Sequence, residues 1–284
     1  MNPRRVLVIG GTGKIGSRLV AILRSRGAEA VPLARNPGPG GLAIDTTDTE
    51  ALEAASRGFD AALLTTPLGP EEGAIGVAAT AALRRAGVKR IVYIAVQNVE
   101  AMQAIPHFAT KIPVKAAVLD GAGGTVLQPN FFFQNDLLAL PAITQGGIYP
   151  MPIGHAGVWS IDAADIAEAA ANALLDNAGM NEAVPLCGPE KLTGPDYAAH
   201  WAAALGREVI YPGDDVAPFL GAMQTAIPGL GEWEMRDFEL MMQVTQDMGC
   251  PATDADHAAT AAILGRSPRT HREFIADVLK ENPA

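Results

Sequence analysis

Two cysteines in 284 residues, Cys187 and Cys250, are too few and too far apart for a disulfide framework, and they read as free thiols of a reducing compartment. No window approaches the run of ~20 apolar residues that a membrane span needs. The apolar start Val6–Ile9 is cut short by Gly10-Gly11, too early for a signal peptide. Basic residues are in deficit. With 21 Lys and Arg against 31 Asp and Glu, the net charge is −10, which excludes a general nucleic-acid or anionic-membrane surface. His155, His200, His257 and His271 have no partners at metal-ligand spacing, so no metal is expected. Repeats and low-complexity tracts are also missing. These exclusions leave a soluble, cytoplasmic chain whose expected partner is a small molecule, with a homodimer left open.

The stretch Val6-Leu-Val-Ile-Gly-Gly-Thr-Gly-Lys-Ile-Gly16 organises the rest. An apolar strand runs into closely spaced glycines, and Ile15, Leu19, Ile22 and Leu23 then recur at helical spacing. A strand, a glycine turn and a helix in that order make a dinucleotide-binding signature. The glycines admit a pyrophosphate to the backbone N–H groups, and the helix N-terminus favours its charge. Gly10, Thr12, Gly13, Lys14, Ile15 and Gly16 are the candidate loop contacts.

Downstream, short buried strands alternate with glycine-terminated helices. Gly27 is placed to cap the first helix, and strands are expected at 30–34, 42–44, 60–65, 90–94 and 125–128. Thr47 and Glu50 pair as a capping box for a helix closed by Gly58. The pattern predicts an α/β fold: a Rossmann-type doubly wound parallel sheet with a smaller, mostly helical C-terminal subdomain on the substrate side. Residues 1–155 are assigned to the dinucleotide-binding domain, 156–190 to a return to the sheet, and 191–284 to the subdomain. Met223, Met235, Met241, Met242 and Met248 cluster in the last of these and suit either a lid or a small helical core.

Roughly 20 residues past the glycine loop, NAD-preferring folds place an acid on the ribose 2′-OH. Arg35 occupies that slot, followed by Asn36, and an arginine pairs with a 2′-phosphate. NADP(H) is therefore the expected cofactor, in preference to NAD(H). Asp45 is a candidate contact for its adenine end. Cofactors bind outside the carboxyl ends of such strands. By position that adds Thr65, Thr66 and Pro67, then Ala95, Val96 and Gln97, and finally Pro129, Asn130 and Phe131. Asp162, Asp165 and the Thr193–Asp196 pair are explained as helix caps.

Gly10-x-x-Gly13-x-x-Gly16 resembles the short-chain dehydrogenase/reductase superfamily, whose typical members use Tyr-x-x-x-Lys. None of Tyr93, Tyr149, Tyr197 and Tyr211 has a lysine four residues on. His107-Phe-Ala-Thr-Lys111 stands in that region instead. With Ala34-Arg-Asn-Pro37, Leu127–Asn135, Trp159–Ala167, Leu186–Thr193 and Ile263–Arg269, nearly the whole chain resembles the NmrA-like family of atypical short-chain dehydrogenases. Gln128 stands where members often carry arginine, so no charged contact is carried over there. The resemblance implies an NAD(P)H-dependent reductase of quinone-, enone- or azo-like acceptors, or a non-catalytic NADP(H)-binding redox sensor acting through protein partners. On that basis Lys111 is expected to hold the nicotinamide ribose and add positive charge. His107 is read as a proton donor or as a loop histidine capping backbone groups. Because Pro113 suits only a first helical turn, the helix ending near Gly121 is expected to start at about Thr110 to Pro113, so that His107 and Lys111 need not share a helical face.

Overall fold

Val6, Leu7, Val8 and Ile9 are buried on both faces, as interior strands of parallel sheets are. In the computed structural model, which describes residues 5–227 and 229–281, they form β1 (Arg5–Ile9). It leads into α1 (Gly16–Ser25), then β2 (Glu29–Ala34), β3 (Leu42–Ala43), α2 (Thr49–Ser56) and β4 (Ala61–Leu64). Next come α3 (Glu72–Arg85), β5 (Arg90–Ile94), α4 (Pro106–Leu119) and β6 (Gly124–Pro129). A 3₁₀ turn (Phe133–Ala139) and α5 (Leu140–Thr144) precede α6 (Ala163–Asp176) and β7 (Ala183–Leu186). The helices α7 (Gly194–Leu205), α8 (Val216–Ala226), α9 (Glu232–Met248), α10 (Asp254–Leu264) and α11 (His271–Glu281) follow.

The seven strands pair in parallel in the order β3-β2-β1-β4-β5-β6-β7. Strand order reverses between β1 and β4. Right-handed crossovers therefore put the helices after β1 and after β4 on opposite faces. α1 packs with α6 on one face, while α2, α3 and α4 pack side by side on the other. The α2–α4 face closes over Leu7, Ile9, Leu64, Tyr93 and Val126. No helix among the described residues is long and apolar enough to cross a membrane.

Two compact units are formed. One comprises 1–129, 163–186 and 258–266 and holds the sheet; the other comprises 130–162, 187–257 and 267–284. They interleave along the chain, where the sequence alone suggested divisions after 155 and 190. The second unit is mostly helical, with short bridges such as Val158↔Leu192 and Ile148↔Ile210. At its centre the Asp136 carboxylate accepts hydrogen bonds from Tyr149 Oη (2.9 Å), Trp201 Nε1 (2.7 Å) and His271 Nε2 (2.8 Å). His200 Nδ1 meets His271 Nδ1 at 3.2 Å, and the rings of Phe133, His271 and Phe274 pack against one another.

Local signals mostly match the elements. Gly27 closes α1 with N–H groups of Gly27 and Ala28 donating to Arg24 O and Leu23 O, a Schellman arrangement. Thr193 and Asp196 form the capping box of α7, which ends at left-handed Gly206. At α2 the cap lies one residue later than Thr47. Asp48 accepts from Ala51 N at 2.9 Å, because Thr47 is already bonded to Asp45. Asp162 and Asp165, expected as caps, pair with Arg269 (3.2 Å) and Arg266 (2.6 Å).

Candidate functional site

Parallel strands bring the loops after β1, β2, β4, β5 and β6 to one edge of the sheet, and in the loop after β1 glycines make close approaches. Gly10 N donates to Leu33 O at 2.9 Å, and Gly10 has a φ of 75°, which disfavours any side chain. A Cβ there would lie 2.2 Å from Thr65 Oγ1, whose hydroxyl donates to Ile9 O at 3.0 Å. At Gly16 a Cβ would stand 2.2 Å from Gly10 O, so only glycine lets α1 start beneath the loop. Thr12, Gly13 and Lys14 form the exposed rim, while Ile15 is buried under it. No side chain caps the α1 N-terminus, which leaves its positive end open to an anion. The Lys14 ammonium has its pKa lowered, first by desolvation and then by the neighbouring Arg18 charge. Two adjacent cations at a helix N-terminus suit a pyrophosphate.

Arg35 follows β2 and is exposed, as is Asn36. Its charge reaches Asp45, whose carboxyl is held below the usual range by the Thr47 backbone N–H, then by the Thr47 hydroxyl, with a smaller contribution from Arg35. Asp45 Oδ1 accepts both Thr47 bonds, at 2.9 and 2.8 Å, so one role of this acid is to shape the loop before α2.

After β5 the chain is tied to the end of β6. Ala95 N donates to Leu127 O (2.8 Å), Gln97 N to Pro129 O (3.0 Å), and Gln128 Nε2 to Val96 O (3.2 Å). The structure therefore brings Thr65, Thr66, Pro67, Ala95, Val96, Gln97 and Pro129 to the same sheet edge as the glycine loop. Asn130 and Phe131 belong to the second unit. There the Asn130 amide bridges backbone, accepting from Phe131 N (2.8 Å) and Trp159 N (3.2 Å) and donating to Cys250 O (3.1 Å).

The expected late start of the fourth helix is corrected. α4 begins at Pro106, whose missing N–H costs nothing at the first helical position, and it continues through Pro113. Packing against α3 offsets the bond lost at Pro113. Gly73 admits Thr110 O and the Pro113 ring, where a Cβ would stand 2.9 and 3.1 Å away. His107 and Lys111 thus lie four residues apart on one helical face, with the His107 ring edge-on to Phe108 at 4.7 Å.

Lys111 is held by a partner that local sequence does not reveal. Glu72, fully buried at the start of α3, accepts from Lys111 Nζ, from Thr66 Oγ1 at 2.5 Å and from Thr110 Oγ1 at 2.7 Å. One carboxylate joins the end of β4, α3 and α4. From sequence Glu72 is only an acidic residue near a helix N-terminus, and nothing within its own segment signals the lysine 39 positions away.

The NmrA-like family model matches residues 2–275. The chain belongs to the NmrA-like family. It is 34% identical over 287 residues to an NAD(P)H azoreductase of Xenophilus azovorans, covering 95% of this chain and 96% of the relative. Two solved structures share its fold. The NADPH-dependent quinone oxidoreductase QOR2 of Escherichia coli, complexed with NADPH, matches with a TM-score of 0.81 at 21% identity, over 96% of this chain and 99% of that one. The Citrobacter sp. triphenylmethane reductase complexed with NADP(H) matches with a TM-score of 0.81 at 19% identity and the same coverage.

In this NmrA-like chain no tyrosine is prepared to lose a proton. Burial is the leading cause that raises the phenol pKa of Tyr93, Tyr149, Tyr197 and Tyr211; Asp136 adds to it at Tyr149 and Tyr197, Glu72 at Tyr93 and Asp214 at Tyr211. Among the described residues no group of His, Cys, Asp or Glu is placed to hold a metal ion. Because Glu72 has lost its water and binds a cation, Glu72→Gln is expected to lower the unfolding free energy by about 2 kcal/mol in urea denaturation. Lys111→Met should cost a similar amount, and the double variant less than the sum.

Proposed function

We propose that the protein is an NADPH-dependent reductase of a small conjugated or aromatic acceptor, of quinone, enone or azo type. The carrying observation is the glycine loop that excludes side chains at Gly10 and Gly16, with Arg35 after β2. The 34% identity to the NAD(P)H azoreductase over nearly all of both chains supports the reaction class. Cytoplasmic residence is supported by two buried, unbridged thiols.

Bound NADPH supplies the hydride. The N-terminus of α1, with Lys14 and Arg18, receives the pyrophosphate, and Arg35 pairs with the 2′-phosphate. Thr65 to Pro67, Ala95 to Gln97 and Pro129 border the rest of the dinucleotide. Lys111, held in place by Glu72, binds the nicotinamide ribose and adds positive charge where negative charge develops on the acceptor. His107, one helical turn away, delivers a proton. Chemistry of this kind does not call on Tyr-x-x-x-Lys, and placing the acceptor against the hydride donor contributes most of the rate.

Stoichiometric NADPH oxidation with a panel of neutral quinones, enones and azo compounds tests this reading. Lys111→Met is expected to lower kcat/KM by about tenfold, equivalent to about 1.4 kcal/mol. His107→Ala should lower kcat by less than about tenfold, because water can replace the acid. Unaltered turnover in both variants would remove these residues from catalysis. Tight NADPH binding without turnover of any acceptor would replace the reductase by a redox sensor.

A further inference from the structure

Tyr93 lies in β5 opposite Leu64 of β4, and its side chain joins the cluster that α3 and α4 close over, with Ala79 and Val114. It is fully buried, and its hydroxyl has no hydrogen-bond partner among the described residues. A buried donor in that state has given up its bonds to water without replacement, so a phenylalanine would be the more stable residue at this position. A hydroxyl kept at such a cost calls for a partner in another state of the protein.

The neighbouring hydroxyl is that of Thr66, just past the end of β4. It comes near the phenol without hydrogen-bond geometry, and the Glu72 charge also acts on Tyr93. Burial, the leading cause, keeps the phenol protonated, so what Tyr93 has to offer is a proton to donate. Thr66 gives its own proton to Glu72 Oε1 at 2.5 Å, and the lone pairs of its oxygen remain to accept one. Thr66 is also seated on the same helix as Glu72. A Cβ at Gly76 of α3 would stand 2.9 Å from Thr66 Cγ2 and 2.5 Å from Val114 Cγ2, so glycine there lets the end of β4 and α4 close in together.

We propose that Tyr93 is a positioning residue of the dinucleotide site: its hydroxyl donates to Thr66 Oγ1 when the dinucleotide settles against Thr65–Pro67. Tyr93, Thr66 and Glu72 then form one chain of hydrogen bonds, and Lys111 sits on the same Glu72 oxygen as Thr66. A donor behind Thr66 strengthens the bond that Thr66 gives to Glu72. Glu72 Oε1 then holds Lys111 less tightly, and the ammonium is released toward the nicotinamide ribose. Contact at the end of β4 is in this way passed to α4 inside one compact unit. The inference rests on where the reductase reading places the dinucleotide and does not depend on turnover.

Tyr93→Phe in the full chain keeps the ring and removes the donor. Without cofactor its thermal midpoint should lie above the parent's, because a buried hydroxyl without a partner is gone. NADPH, followed by fluorescence titration, should bind about three- to tenfold more weakly, the worth of one hydrogen bond. In a Thr66→Val background, which has no hydroxyl to accept, Tyr93→Phe should change NADPH affinity by less than about twofold. In a Thr66→Ser background, which keeps the hydroxyl, the loss should return. A cofactor-free midpoint not above the parent's overturns the proposal, because the phenol is then bonded already. So does a loss of NADPH affinity below about twofold in Tyr93→Phe, or an undiminished loss in the Thr66→Val background. NADPH binding that behaves as expected in a chain that reduces no acceptor refutes the reductase reading and leaves Tyr93 in its role. Turnover of quinones with NADPH affinity untouched by Tyr93→Phe refutes that role and leaves the reductase standing.

Discussion

Replacing Asp136 by alanine is expected to lower the unfolding free energy by about 3–5 kcal/mol, the usual cost of removing one partner from a buried charged network. For a chain of this size the thermal midpoint should fall by on the order of 10 °C. Asp136 is 1% exposed and accepts hydrogen bonds from a phenol, an indole and an imidazole, all of them inaccessible to water. Without the carboxylate, three donors are left in a dry interior, and the loss of each carries a desolvation penalty. Asp136→Asn keeps the shape and one acceptor oxygen, so it should cost less than half as much. Equal stability of parent and alanine variant in calorimetry would mean that water replaces the carboxylate.

The same network carries a pH signature. Two imidazole Nδ1 atoms at 3.2 Å share a hydrogen bond only if one of them lacks its proton. The His200 pKa is lowered, first by burial and then by the His271 charge. Between pH 6.5 and the lower folded value, the unfolded chain therefore binds a proton that the folded chain refuses. Stability should decline as pH falls through that window and be indifferent to His200 above it.

Arg35→Ala is expected to weaken NADPH by about 10–100-fold, the loss of one or two charge-assisted hydrogen bonds worth about 1.5–3 kcal/mol. NADH affinity should change little, so the preference between the two cofactors collapses. The magnitude is bounded by two observations. Arg35 is exposed, which weakens its pairing, and it is within electrostatic reach of Asp45, with which an incoming phosphate must compete. Titration of both cofactors by fluorescence would check this. An Arg35→Ala protein that still prefers NADPH would move recognition of the 2′-phosphate elsewhere.

The parts of the site that were legible in the sequence are those whose cause is local. Glycine at 10 and 16 is dictated by atoms a few residues away or in the adjoining strands, and the strand–turn–helix pattern around them is periodic. β5 at Arg90–Ile94 and the cap of α7 were likewise readable from neighbours. The start of α4 was misjudged because proline propensity is a local rule, whereas the compensation comes from Gly73 on another helix. Glu72 and Asp136 were invisible as centres for the same reason. Their partners lie up to 39 and 135 positions away, and a single acidic letter carries no mark of burial.

The polypeptide passes from one compact unit to the other at 129/130, 162/163, 186/187, 257/258 and 266/267. Neither unit is a contiguous stretch of gene. A chimera made by fusing the first half of one relative to the second half of another would splice each unit from two parents and break pairings such as Asp136 with His271. Transplanting the second unit requires three segments to travel together, 130–162, 187–257 and 267–284. A helix such as α8 lies within a single one of those segments, so it can be exchanged alone. Such a chain is thus open to short local replacement and closed to simple domain shuffling.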